Sequence, residues 1–76
     1  MNKDDVIVLN ELAEMIRKNG AISKRTLYKN SKIGIWKFKE IIQYLPEVFD
    51  DIHYNRKKQT YTSRHSLSLF TQEDAK

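Results

Sequence analysis

The side chains best equipped for chemistry in this chain of 76 residues are cationic, amide and aromatic, and they crowd into one stretch. Between residues 23 and 45, Ser23, Lys24, Arg25, Lys32, Trp36, Lys37, Lys39, Glu40, Gln43 and Tyr44 are interleaved with apolar residues. A second cluster, Arg56–Lys57–Lys58, follows further along. Lys and Arg neutralise phosphates and release the counterions held there. In a DNA major groove, Lys37 and Lys39 suit guanine O6/N7, Gln43 suits adenine N6/N7, and Glu40 can accept from cytosine N4. Ile35 or Trp36 can meet a thymine methyl by apolar contact. A protein surface is the competing partner, because an exposed indole is as typical of interface hot spots.

The same inventory offers little to a catalyst. His53 and His65 stand alone, and no Gly-rich phosphate loop, nucleophile elbow or metal-spaced His cluster is present. Asp50–Asp51 are adjacent, and adjacent strand residues face opposite ways, so a loop or strand-edge role is favoured over a metal pair. Without cysteine, neither a disulfide framework nor a thiolate zinc site is available. The expectation is a protein that binds rather than catalyses, with no cofactor, metal or small-molecule substrate.

Size and charge narrow this further. A chain of 76 residues makes one domain, and so small a domain needs a compact fold or a partner subunit. No apolar run approaches the roughly 18 residues of a membrane span, and no N-terminal stretch resembles a signal peptide. A soluble cytoplasmic protein with no membrane partner is therefore expected. The net charge of +4 is unevenly placed: residues 23–64 hold ten Lys or Arg against four acids, while each flank sums to −1. A localised basic surface implies a polyanionic partner.

Three helices must position these groups. Asp4 or Asp5 can cap the first, about 4–18, with Val8, Leu9, Leu12, Ala13 and Ile16 on one face and Glu11, Glu14, Arg17 and Lys18 largely on the other. Gly20 suits a left-handed C-terminal cap, and Ala21–Ile22 is an extended link. Ser23 is the N-cap of a short second helix, about 24–30, with Leu27 and Tyr28 facing inward. Its N-terminus, Ser23 to Thr26, can hold a phosphate through backbone N–H groups. Ser31–Lys32–Ile33–Gly34 breaks the pattern, and a third helix, about 34–45, is stopped by Pro46. On it, Phe38, Ile41, Ile42 and Leu45 share one arc with Ile35 at its edge. Trp36, Glu40 and Gln43 point the other way, with Lys37 and Tyr44 on one flank and Lys39 on the other. A tryptophan opposite a complete apolar stripe marks a surface that touches something.

After Pro46 the period changes to alternation. Ile52 with Tyr54, and Tyr61 with Ser63, predict an antiparallel hairpin over about 50–55 and 60–64. Its tip, Asn55 to Gln59, lacks Gly, so a four- or five-residue loop is preferred. The tail 65–76 has one apolar group, Leu67, Leu69 and Phe70, and is open between a short helix, an added strand, a dimerisation segment and a disordered end.

Three helices and a hairpin with a basic tip resemble the winged helix-turn-helix family over about residues 5–64. Ser23, Leu27, Ile33, Phe38, Ile42 and Leu45 occupy the places that such proteins give to the second-helix cap, the buried turn residue and the core of the third helix. Tyr54 and Tyr61 around Arg56–Lys57–Lys58 look like the wing. Size and composition also look like compact regulators of archaea, their viruses and bacteriophages. Two features depart from the pattern: Tyr28 sits where a small residue is usual, and the wing tip lacks Gly.

The resemblance implies an α+β winged helix-turn-helix with a two-stranded wing over residues 1–64, followed by the tail. It implies a sequence-specific double-stranded DNA-binding transcription regulator. The third helix (Ile35, Trp36, Lys37, Lys39, Glu40, Gln43, Tyr44) would enter the major groove, as such third helices do. Ser23, Lys24, Arg25 and Lys32 would serve beside it, with Arg56, Lys57 and Lys58 on the backbone or minor groove. The alternative is a protein-docking module, using Trp36 and Tyr44, in a replication, transcription or host-takeover complex. A homodimer is expected, with Val6–Ile7 and Leu67–Leu69–Phe70 as its spare apolar surfaces.

Overall fold

The computed structural model describes residues 2–64. Their elements run α1 (Lys3–Asn19), β1 (Ala21–Ser23), α2 (Lys24–Ser31), α3 (Ile35–Ile42), α4 (Leu45–Val48), β2 (Ile52–Asn55) and β3 (Thr60–Ser63). The tail, with His65, Leu67, Leu69 and Phe70, lies outside the described residues.

α1 starts earlier than its acids suggest. Asn2 is the cap, its Oδ1 accepting the Asp5 N–H at 2.8 Å, and neither Asp4 nor Asp5 takes that place. Both aspartates sit in the first turn, where negative charge is favourable. Leu9, Leu12, Ala13 and Ile16 are buried on one face. Gly20 ends the helix with φ +76°, a conformation that L side chains rarely adopt, and its N–H donates to the Ile16 carbonyl at 2.8 Å.

Ala21–Ile22 is more than a link. With Ser23 it forms β1, antiparallel to β3 with Ile22 opposite Tyr61. The expected hairpin is present as β2–β3, with Tyr54 opposite Tyr61, and the strand order β1-β3-β2 makes the sheet three-stranded rather than two-stranded. Strand pairing explains the third strand: β1 lends its backbone to the otherwise open edge of β3, and Ile22 gains a buried position. The architecture is α+β, helices packed on a small antiparallel sheet.

Ser23 caps α2 as expected, accepting the Thr26 N–H at 3.1 Å. The turn to α3 pivots on Lys32, at φ 63° and ψ 23°, whereas Gly34 is extended (φ −69°) with open space where a Cβ would stand. The left-handed residue of the turn is thus a lysine. The glycine is the N-cap of α3, where no side chain closes the first turn.

α3 ends at Ile42, three residues before the expected boundary. Tyr44 N–H turns back to the Ile41 carbonyl at 3.0 Å, and Pro46 sits in the first turn of the separate α4. A proline there needs no N–H partner and arrives with a helical φ, so it opens a turn as readily as it closes one. Phe49 N–H to the Leu45 carbonyl (3.0 Å) and Ile52 N–H to the Phe49 carbonyl (3.1 Å) lead into β2.

Leu9, Leu12, Ile16, Leu27, Phe38, Ile42, Leu45 and Ile52 are buried, joined by Ala13, Ile22, Ile41 and Tyr61; Ile33 is half-buried against them. Tyr28, where a small residue is usual, is half-buried against the core. Its ring meets Phe38 edge-on, centroids 5.2 Å apart, a favourable aromatic geometry between α2 and α3. Behind the core, Arg17 of α1 grips Asp51 through two hydrogen bonds of 2.9 Å, and Ser63 Oγ donates to the same carboxylate at 3.0 Å. The guanidinium also lies 5.0 Å over the Phe49 ring. One carboxylate therefore ties α1 to both ends of the hairpin.

Candidate nucleic-acid interface

The apolar arc of α3 fixes which side chains are left outside. Trp36, opposite the arc, is 80% exposed, and the Lys39 ammonium lies 5.4 Å over its ring. Ile35 is exposed beside it at the start of the helix. Glu40 and Gln43 are exposed on the same outward side, with the Gln43 amide donating to the Glu40 carbonyl at 3.0 Å. Tyr44 closes the row with its side chain at the surface.

The two flanks differ. Lys37 faces α1, where its ammonium lies 3.3 Å from the Asp5 carboxylate and 3.6 Å from Glu40. The hydrogen bond that the Lys37 ammonium donates to Asp5, and the charge of that carboxylate, raise the Lys37 pKa above the ordinary lysine value. Asp5 is itself buried, so this pair has a structural duty that the sequence pattern hides.

Lys39 faces the other way, into a groove of about 240 Å³ between α2, α3 and the hairpin tip. Tyr28, Ile35 and Phe38 form its apolar floor; Lys24, Arg25, Lys39 and Gln59 form its rim. Three cations and no acid line this cleft, which suits a ligand with an apolar body and an anionic edge, such as a sugar-phosphate. Two hydrogen bonds hold its walls: the Ser23 hydroxyl caps α2, and the Lys24 N–H donates to the Gln59 carbonyl at 2.9 Å, pinning the hairpin tip to the helix. Lys24 Nζ also lies 5.8 Å over the Tyr54 ring, which packs at a tilt against Tyr61, centroids 4.5 Å apart.

The tip is the expected four-residue loop, Arg56 to Gln59, closed by the Asn55–Thr60 pair. The Lys58 N–H donates to Asn55 Oδ1 at 3.1 Å, and Thr60 Oγ1 donates to the Lys58 carbonyl at 2.8 Å. Gln59 takes the positive φ of 50° that a glycine often fills. Arg56, Lys57 and Lys58 are all exposed there.

Of the expected site residues, Ser23, Lys24, Arg25, Ile35, Trp36 and Lys39 come together around or beside this groove, with the basic tip adjoining at Gln59. Lys32 does not join them. It stands at the far end of α2, about 12 Å along the axis. There it lines a larger groove of about 580 Å³ with Glu11, Glu14 and Lys18, whose charges balance. Gln59 and Tyr28 belong to the basic groove although the residue pattern did not single them out for binding; the only sequence cue for Gln59 was its place next to three cations.

His53 is exposed on β2, its Nε2 2.9 Å from Arg64 Nη2. Among the described residues, no group of three or more His, Asp or Glu is placed to hold a metal ion, and no helix is long and apolar enough to cross a membrane. Comparisons with protein-family models, curated proteins and solved structures return no match for this chain.

Proposed function

We propose that this chain is a sequence-specific double-stranded DNA-binding regulator of the winged helix-turn-helix type, without enzymatic activity. The observation that carries the reading is the acid-free basic groove, with Trp36 on its edge and the Arg56–Lys57–Lys58 tip adjoining it. α3 lies in the major groove with Ile35, Trp36 and Gln43 toward base edges and Lys39 toward an adjoining phosphate. The Lys24 and Arg25 side chains hold a flanking phosphate. The hairpin tip follows the backbone or the adjacent minor groove. Two copies bind paired half-sites, with exposed Val6 and Ile7 contributing to the contact between them.

Selection of bound sequences from a random duplex library tests this. A motif enriched by the wild type and relaxed on Gln43→Ala supports the reading. Absence of duplex binding at low salt, to any sequence, rejects it. The second reading, a protein-docking module, is favoured by the high exposure of Trp36 and by Tyr44 at the surface. It predicts that Trp36→Ala abolishes capture of a protein partner with no change in binding to DNA.

A further inference from the structure

We propose that α3 reads thymine methyl groups, so that the duplex sites this chain selects are rich in A·T pairs; this rests on the DNA-binding reading above. The reason lies in which polar groups of the outward face remain available. Guanine is read by cationic donors to O6 and N7, and cytosine by an acceptor for N4–H. Lys37 is held by Asp5 at 3.3 Å, and withdrawing it would leave a buried carboxylate without its cation. Glu40 is the second partner of the same ammonium at 3.6 Å. Lys39 is drawn over the Trp36 ring and toward the groove rim, where a phosphate competes for it.

The groups left facing outward near the start of α3 are apolar. Ile35 is 39% exposed and Trp36 is 80% exposed. Apolar contact is how a major-groove reader recognises the C5 methyl of thymine, which cytosine lacks. Gln43 gives one amide hydrogen to the Glu40 carbonyl and keeps its oxygen and second hydrogen, the pair that matches adenine N6 and N7. Both kinds of group point to one base pair.

The test isolates the methyl group. Binding of the full chain is measured by fluorescence anisotropy on an A·T-rich duplex and on the same duplex with every thymine replaced by deoxyuridine. A G·C-rich duplex is measured with cytosine and with 5-methylcytosine. The expected result is tighter binding to the thymine duplex, by about fourfold for each methyl contacted. Adding the methyl to cytosine should recover part of the difference. Replacing both exposed side chains, Ile35→Ala with Trp36→Ala, should bring the thymine and uracil duplexes to parity, and Trp36→Ala alone should shrink the difference. Duplex binding that is indifferent to the methyl would overturn the inference and leave the DNA-binding reading standing. No binding to any of the four duplexes would overturn both.

Discussion

Lys37 and Lys39 lie two positions apart on α3 and meet different neighbours. Lys37→Ala should lower stability, because Asp5 stays buried and loses its cation, while Lys39→Ala should leave the urea midpoint near that of the wild type and weaken duplex binding. Equal stability losses in the two variants would remove the distinction. Asp51 is the most heavily bonded carboxylate among the described residues, and the Arg17 hydrogen bonds, with help from Ser63, hold its pKa well below the usual carboxylate range. A depressed folded pKa means that this contribution is complete above the unfolded value near 4 and fades as pH falls through the folded value. Asp51→Asn should therefore cost about 1–3 kcal/mol at neutral pH, and the difference from wild type should shrink in acid, as denaturant titrations at several pH values will read. Tyr61 has the opposite sign. Burial pushes its pKa up to about 12, so its contribution is complete below the unfolded value near 10 and is lost as pH rises through 12. The first two environments were not legible in the residues themselves, since Asp5 meets Lys37 and Asp51 meets Arg17 across long sequence separations, whereas Tyr61 faces Tyr54 within the hairpin that alternation predicted.

At the scale of elements, periodicity revealed the helices whose apolar stripes are long enough to count. The stripes of α1 and α3 were both legible, and so was the alternation in β2 and β3. β1 was not, because three residues cannot display an alternating pattern and its pairing with β3 is decided by the whole sheet. Pro46 misled in a different way: it bars the interior of a helix but favours the first turn, and residue type alone does not say which. Gly34 drew the eye as the break, yet the left-handed residue is Lys32, for which the pattern gave no cue. Two predictions belong here. Phe38→Ala should cost about 3–5 kcal/mol by opening a cavity beneath Tyr28, enough to unfold much of so small a domain in thermal melts. Gln59→Gly should relieve the positive φ at the hairpin tip and stabilise by up to about 1 kcal/mol, provided that the carbonyl bond to Lys24 persists. A loss of stability in that variant would show that the Gln59 side chain supports the groove.

For the whole molecule, charge placement was the most readable feature and the functional partner the least. The surplus of positive charge in residues 23–64 was visible as a count, but only folding sorts it into the groove rim, the tip and the Asp5 pair. Sedimentation at high micromolar concentration should show a dimer for the full chain, and a single 9.1 kDa species would remove the paired half-site from the account. The central claim is that this surface neutralises DNA phosphates. Its most direct test is the salt dependence of duplex binding by the wild type and by the Arg56, Lys57 and Lys58 triple alanine variant. Affinity should fall steeply and linearly on a log–log plot, and the variant should flatten that slope by about three units at every sequence tested. Duplex affinity that is absent at low salt, or a slope unchanged in the variant, would contradict the account.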